Sequence, residues 1–295
     1  MLARSWLFVP GNRMKVIEKA ELLDADVIIY DLEDAVLLQD KIQAREMVIE
    51  ALQSSKKNIF VRMNSLSDMF GHEDVLSLLS NYNKSLKGLI LPKVSSAQQI
   101  KSLETMLITY EKKYNIHYEL EIVPLIESAA GVHFCFDIAS ASPRVKRLAF
   151  GAVDYCLDVN ITPTKCGNEL LYARSQIVNA SRAAEKLQPI DTVYIHFNDY
   201  EGLDIEINTA KGLGFGGKLV IHPNQIDEVN KKFAPTEEEV LDAKEILETV
   251  EQDGAAVFQL NGRMIDEPII KKARITLEKY RLIKGENPNL TWEKL

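Results

Sequence analysis

The sequence predicts a (β/α)8 barrel, also called a TIM barrel, followed by a C-terminal helical extension. Short apolar runs alternate with stretches of helical spacing, and eight such pairs can be counted along the 295 residues. An open, doubly wound sheet usually has fewer strands, roughly five to seven, so eight units favour closure into a barrel. Several of the runs also end in a charged residue, as strands that lead into an active site do.

The first half of the barrel is predicted from four strand-and-helix pairs. Each strand is a short apolar run closed by a turn residue or a charged residue. Ser95 and Ser96 supply an N-cap for the fourth helix. In chain order, the predicted strands are residues 4–10, 27–34, 58–64 and 88–94, and the helices include residues 16–23, 41–52, 74–79 and 100–107.

The second half repeats the pattern and leaves a surplus. The predicted strands are residues 121–128, 147–154, 191–197 and 217–223, with helices around 132–139, 169–186, 204–213 and 225–233. We therefore expect residues 1–234 to form the barrel and residues 235–295 to form the extension. The extension should contain helices at 236–251 and 268–282, with a short apolar segment and a loop at 254–266 between them.

Composition and charge narrow the class of protein. The formal net charge of −8 and the lack of a dense basic run argue against a non-specific nucleic-acid surface. No apolar run is long enough to cross a bilayer, and the first residues lack the apolar core of a signal peptide. Three cysteines without zinc-type spacing are typical of a reducing compartment. We expect a cytoplasmic protein that binds neither nucleic acid nor membrane.

Two successive predicted strands end in a carboxylate, Glu127 and Asp154, and this pair is the expected centre of the protein. For either acid alone, capping of the following helix is the simpler interpretation. Neighbouring strand ends, however, bring two carboxylates close enough to share a hard cation such as Mg²⁺. The pair therefore predicts a magnesium site.

Other charged residues at strand ends should meet at the same mouth of the barrel. Glu33 and Asp34 follow the second strand, while Arg62 and Lys93 belong to the third and fourth. Arg62 suits either a salt bridge to a neighbouring acid or, beside a metal, an anionic oxygen of a substrate. Schiff-base chemistry at Lys93 is disfavoured, because surrounding carboxylates should raise its pKa.

A set of short motifs runs in order through the chain and adds a family resemblance. They are Arg-Ser-Trp-Leu-Phe-Val-Pro-Gly at 4–11, Tyr-Asp-Leu-Glu-Asp-Ala-Val at 30–36, Val-Arg-Met-Asn at 61–64, Leu-Pro-Lys-Val at 91–94, Glu-Ser at 127–128, Phe-Gly-Ala-Val-Asp at 150–154, Ile-His-Pro-Asn-Gln at 221–225 and Gly-Arg-Met-Ile-Asp at 262–266. With these motifs the chain resembles the citrate lyase β-subunit family, which includes malyl-CoA and citramalyl-CoA lyases within the wider HpcH/HpaI aldolases.

The resemblance implies a Mg²⁺-dependent lyase that cleaves a 3-hydroxy-3-carboxyacyl thioester by a reversed Claisen condensation. Glu127 and Asp154 match the metal ligands of that family, and Asp266 matches an acid that reaches the active site of a neighbouring subunit in a homotrimer or a multiple of it. The expected substrate-binding residues are Arg62, Glu127 and Lys93 and, at the CoA or phosphopantetheine end, Phe8, Arg13 and Lys19.

The catalytic assignments leave one role open. Arg62 should stabilise the enolate oxygen, and Asp266 should exchange a proton with the α-carbon of the thioester. Glu33 and Asp34 are expected to hold metal-bound waters or to orient Arg62. Asp34 stands where the wider aldolases often carry a histidine base, so the group that deprotonates the hydroxyl is not assigned.

Three interpretations of the function remain at this point. The protein is a stand-alone acyl-CoA lyase, or a β subunit that acts on a carrier-bound citryl group together with acyl carrier and α subunits. The third interpretation is a non-catalytic barrel that serves assembly. The complete set of Arg62, Glu127, Asp154 and Asp266 argues against the third. The sequence does not separate the first two.

Overall fold

The computed structural model describes residues 3–253 and 257–286. Eight parallel strands close into a barrel in chain order, and the last strand pairs with the first, which confirms the predicted TIM barrel. The strands are β1 Ser5–Pro10, β2 Val27–Asp31, β3 Ile59–Arg62, β4 Leu86–Leu91, β5 Glu121–Ile126, β6 Ala149–Phe150, β7 Ile190–Asp191 and β8 Gly217–Val220.

Helices cover the outside of this barrel. Ser96 is the N-cap of α4, as the serine pair predicts, and it forms a capping box with Gln99. The barrel helices are α1 Met14–Ala20, α2 Lys41–Ser54, α3 Met69–Ser80, α4 Ala97–Lys113, α5 Ala129–His133, α6 Cys135–Ser140, α7 Ala152–Asp158, α8 Leu171–Ala183, α9 Tyr200–Leu213 and α10 Ile226–Phe233. Within the described residues, every helix is too short or too polar to span a lipid bilayer.

Several strands end earlier than the apolar runs predict, because polar groups replace the strand pairing. After β2, the carboxylate of Asp31 accepts the N–H groups of Glu33 and Ala35 and turns the chain. After β4, Lys93 adopts a φ of 53°, which lies in the left-handed region and interrupts the extended backbone. Both turns direct side chains toward the barrel mouth.

Strands β6 and β7 are the clearest corrections, since each is only two residues long. The sequence predicts that Asp154 ends a strand, but this residue lies in the first turn of α7. Beyond β7, the carbonyl of Thr192 accepts from the Lys218 ammonium at 2.7 Å, so a side chain takes the place of a strand partner.

Contacts divide the chain into two compact units, one of Arg4–Val229 and a second that combines Ala3 with the chain from Asn230 onward. The second unit contains α11 Glu237–Asp253, α12 Glu267–Lys284 and a hairpin of β9 Phe258–Leu260 and β10 Arg263–Ile265. Residues 254–266 are predicted to be a short apolar segment and a loop, and their described part forms this hairpin. Residues 254–256 lie outside the described residues. The second unit has its own core, which is formed by Val240, Ala243, Ile246, Ile265, Ile270, Ala273 and Leu277.

Candidate active site

Arg62 is the centre of an ionic cluster at the carboxyl ends of β2 and β3. Its Nε and Nη2 bind the two oxygens of Asp31 at 2.7 and 2.6 Å, and its Nη1 lies 3.1 Å from Glu33. The ring of Phe8, on β1, lies under the guanidinium at 4.8 Å. Burial acts to lower the pKa of Arg62, but the bonds to Asp31 outweigh it and raise that pKa. The guanidinium is thus charged and fixed in direction.

Lys93 links this cluster to Glu127. Its Nζ lies 2.7 Å from Glu33 and 3.3 Å from Asp34, while its backbone N–H donates to Glu127 Oε1 at 2.5 Å. Lys93 makes both contacts from a left-handed backbone conformation. Burial acts to lower the pKa of Lys93, but Glu33 and then Asp34 raise it above its usual value, as predicted. This high pKa does not suit a Schiff-base nucleophile.

Glu127 and Asp154 line one small cavity of about 60 Å³ together with Arg62 and Phe8. Glu127 is only 3% exposed, and Asp154 is half-buried. Burial, together with the negative charges of Glu33 and Asp154, raises the pKa of Glu127 to about 8. The two acids therefore meet as the sequence predicts, although they come from a strand end and a helix.

Gly151 makes the close approach of Glu127 possible. A Cβ at this position would lie 2.7 Å from Glu127 Oε2 and 2.8 Å from Glu127 Cβ, distances that a real side chain does not reach. Only glycine at the end of β6 lets the carboxylate lie beside the start of α7. This role was missed from the sequence, although the Gly in Phe-Gly-Ala-Val-Asp is a visible signal.

The donor set fits a magnesium ion. Among the described residues, no group of three His, Cys, Asp or Glu side chains is arranged to hold a metal. Mg²⁺ does not need such a group, because it keeps several waters and binds through one or two carboxylates plus substrate oxygens. A cation between Glu127 and Asp154 would also offset the negative charges that add to burial in raising the pKa of Glu127.

Buried polar residues behind the cluster hold the end of β2 in place. Lys41 Nζ, in α2, donates to the carbonyls of Leu32 and Glu33 at 2.8 and 2.7 Å and to Asn64 at 2.7 Å. Burial lowers the pKa of Lys41, and neighbouring acids oppose that shift. These groups fix the loop that carries Glu33. Neither Lys41 nor the Asp31 partner of Arg62 was assigned a role from the sequence, because several acids follow β2 and only geometry separates them.

Two predicted site residues, Arg13 and Lys19, are not joined to this cluster, and a third, Asp266, belongs to the other compact unit. Arg13 and Lys19 are exposed beside and on α1, and no hydrogen bond or ion pair among the described residues connects them to it. Asp266 belongs to the second unit, where its carboxylate caps α12 by accepting the N–H of Ile269 at 3.4 Å. The roles given to all three stay predictions.

A closed parallel barrel whose strand ends gather acids around an arginine and a lysine defines a TIM-barrel enzyme. The chain belongs to the HpcH/HpaI aldolase/citrate lyase family, whose model matches residues 4–223. A second model, for carbon–carbon bond lyases of the TIM-barrel fold, matches residues 170–281. The family resemblance and the predicted enzyme class, a carbon–carbon lyase, are confirmed.

Individual relatives cover nearly the whole chain. The citrate lyase subunit beta of Leuconostoc mesenteroides subsp. cremoris is 37% identical, over 98% of this chain and 94% of the relative. The L-malyl-CoA/beta-methylmalyl-CoA lyase of Cereibacter sphaeroides is 32% identical, over 95% of each. The crystal structure of CitE from Mycobacterium tuberculosis with magnesium, acetoacetate and coenzyme A superposes with a TM-score of 0.77 at 27% identity, over 94% of this chain and 98% of that one.

Proposed function

We propose that this protein is a Mg²⁺-dependent lyase that cleaves a 3-hydroxy-3-carboxyacyl thioester into a 2-oxo acid and a shorter acyl thioester. The observation that carries the proposal is the shared cavity of Glu127, Asp154 and Arg62. Cleavage needs the hydroxyl proton to be removed and negative charge to be received on the thioester oxygen. A bound Mg²⁺ supplies Lewis acidity for the hydroxyl and the carboxylate.

Arg62 is suited to the second requirement. Asp31 engages two of its five N–H donors, and Glu33 pairs with Nη1, so donors remain for a substrate oxygen. Because the guanidinium is already held in one direction, it does not have to reorganise when charge develops on that oxygen. Glu33 and Asp34 act by holding Arg62 and Lys93 and balancing their charge. Glu127 and Asp154 hold the metal.

The thioester end is assigned to the β1 side of the mouth. Phe8 contacts Arg62, and the exposed cations Arg13 and Lys19 offer partners for the phosphates of CoA or phosphopantetheine. The CitE structure with coenzyme A supports a CoA thioester as the substrate type. A carrier-bound thioester, with acyl carrier and α subunits as partners, is the second candidate, since citrate lyase β subunits are among the relatives with the higher identities.

Asp266 is assigned the proton transfer at the α-carbon, from the second unit of a neighbouring subunit in a homotrimer or a multiple of it. Asp31 and Glu33 are poor candidates for this step, because both are ion-paired with Arg62. Asp266 carries no such cation in the described contacts; its carboxylate binds a backbone N–H.

The test is a panel of malyl-, citramalyl- and citryl-thioesters, on CoA and on a carrier protein, with Mg²⁺ and with excess chelator. We expect Glu127→Gln and Asp154→Asn to lose at least about 100-fold in Mg²⁺ affinity and nearly all turnover, while they remain folded. The control is Asp137→Asn, an exposed acid of α6 that does not line the metal-site cavity. Near-normal turnover by both metal-site variants would contradict the assignment.

A further inference from the structure

A second cavity, which we call the β6–β7 chamber, opens beside the metal-site cavity. Its wall includes Ala152, Val153, Cys166, Leu170, Val193 and Ile205, contributed by α7, the 159–170 connection between α7 and α8, the β7 loop and α9. Val153, Val193 and Thr192 line both cavities. The chamber therefore adjoins the metal-site cavity, where the reacting carbons would lie.

The chamber is large enough for several carbon atoms. Its volume is about 160 Å³, against about 60 Å³ for the metal-site cavity. An apolar cavity of about 150 Å³ in a protein interior accepts a molecule as large as benzene. The metal-site cavity alone has no comparable room for a side branch of the substrate.

The charged residues of the chamber wall are already paired with other protein groups. Arg174 binds Asp191 at 2.8 Å and Glu206 at 2.9 Å, and Glu206 also pairs with Lys218 at 2.8 Å. Lys165 lies 2.9 Å from Asp199. Arg174 and Lys218 are almost completely buried in these ion pairs, so their charges are not available to a ligand. The wall also carries uncharged polar side chains, among them Thr164, Tyr194 and Thr209, and an alkyl group would contact its apolar part.

We propose that the β6–β7 chamber binds an alkyl substituent on the hydroxyl-bearing carbon of the substrate, and that it accepts chains of two or three carbons. The substrate class is then a 3-hydroxy-3-carboxyacyl thioester with an alkyl branch, and the released product is a 2-oxo acid that carries the same branch. This inference rests on the proposed function for the identity of the reacting acid.

The test is calorimetric binding of 2-oxo acids in saturating Mg²⁺, in the series pyruvate, 2-oxobutyrate and 2-oxovalerate. Burial of each added methylene should tighten binding about fourfold, the factor that corresponds to about 0.8 kcal/mol per CH₂. Oxaloacetate, which carries a carboxylate in place of the alkyl end, should bind more weakly than 2-oxovalerate.

Two substitutions, in two different elements of the wall, are designed to fill the chamber. Cys166→Phe and Ile205→Phe place a large ring in the wall, and both positions are exposed enough to tolerate it, with Ile205 46% exposed. Each variant should bind pyruvate as the wild type does. It should lose the increase in affinity from pyruvate to 2-oxovalerate. Thr162→Phe, in the same connection but outside the wall, is the matched control and should keep the gain.

Several outcomes overturn the inference: no 2-oxo-acid binding, no gain along the series, a gain that survives both filling variants, or tighter binding of oxaloacetate than of 2-oxovalerate. The thioester panel separates this inference from the proposed function. If affinity rises along the series but no thioester is cleaved, the chamber assignment is supported and the proposed reaction is wrong. If thioesters are cleaved without the gain, only the chamber assignment fails.

Discussion

At the scale of single residues, Lys93 connects the two halves of the site through two different groups. Its ammonium pairs with Glu33, and its backbone N–H donates to Glu127. The backbone contact is made at a left-handed φ of 53°, a conformation that costs a non-glycine residue of order 1 kcal/mol. The position therefore combines a side-chain requirement with a backbone strain, and substitution can separate the two.

We predict that Lys93→Gly and Lys93→Ala impair turnover to the same degree, because both lose the ammonium. Lys93→Gly should nevertheless have a free energy of unfolding about 1 kcal/mol higher than Lys93→Ala, since glycine adopts the left-handed backbone without strain. Chemical denaturation of the two variants measures the difference. An alanine variant as stable as the glycine variant would mean that the backbone strain is not there.

Gly151 offers a test of how tightly the metal site is packed. In Gly151→Ala, the new methyl group would have to displace the Glu127 carboxylate, because it would otherwise lie only 2.7 Å from Oε2. Mg²⁺ affinity should fall about 10- to 100-fold with the fold preserved, as calorimetry can measure. Gly212→Ala, in α9, is the control, because its Cβ would meet nothing within 4 Å. Equal Mg²⁺ affinity in both variants would exclude this packing role.

At the scale of elements, β7 and β8 are joined by buried ion pairs as well as by backbone pairing. Asp191 ends β7 and is fully buried, with Arg174 and Lys218 each at 2.8 Å. Glu206, in α9, pairs with the same two cations. Burial acts to raise the pKa of Asp191, but the charges of Lys218 and Arg174 outweigh it and lower that pKa. Two short strands are thus held by a network that spans β7, β8, α8 and α9.

We predict that Asp191→Asn lowers the free energy of unfolding at pH 7 by about 3 kcal/mol or more, because it leaves two buried cations short of a partner. A carboxyl group with a lowered folded-state pKa stabilises the protein above its unfolded pKa of about 4 and loses this effect as the pH falls. The gap between wild type and variant should therefore narrow below about pH 4 in urea unfolding. Glu73→Gln, which breaks a half-exposed pair with Arg45, should cost less than about 1 kcal/mol.

The same elements show what the sequence can and cannot predict. The eight strands and the meeting of Glu127 with Arg62 follow from local patterns and from the rule that parallel strand ends share one edge. The predicted end of β7 was wrong because the carbonyl of Thr192 binds the side chain of Lys218 instead of a neighbouring strand. A contact with a residue so distant in the sequence cannot be seen in the local pattern. The hairpin at Asn261 and Gly262 did have a local signal, since Asn-Gly favours the positive φ values of 50° and 76° found there.

At the scale of the whole molecule, two compact units each have their own apolar core, and the proposed chemistry needs both. The barrel unit supplies the acids for the metal and the fixed guanidinium. The second unit supplies Asp266, which follows β10 and begins α12. An acid at a helix N-cap is often only structural, and it stabilises its helix by about 1 kcal/mol. Any test of a catalytic role has to separate the two functions.

Asparagine makes that separation, because it caps a helix as well as aspartate does but cannot exchange a proton. We predict that Asp266→Asn is folded as stably as the wild type, binds Mg²⁺ and substrate normally, and turns over at least about 100-fold more slowly. Asp266→Ala should be equally slow and also lose about 1 kcal/mol of stability. Near-normal turnover in the asparagine variant would leave Asp266 with the capping role alone.

Mixing two inactive variants shows whether Asp266 acts in its own subunit or in a neighbour. Asp266→Asn subunits lack the acid but keep the metal site, whereas Glu127→Gln subunits lack the metal site but keep the acid. If the acid acts between subunits, a mixed oligomer contains some interfaces that join an intact Glu127 to an intact Asp266, so we predict that mixing restores part of the turnover. If the acid acts within one chain, no mixture contains a complete site. Subunit exchange must be verified by mass spectrometry of the mixture. If subunits exchange and turnover is not recovered, Asp266 either acts within its own subunit or has no part in the reaction.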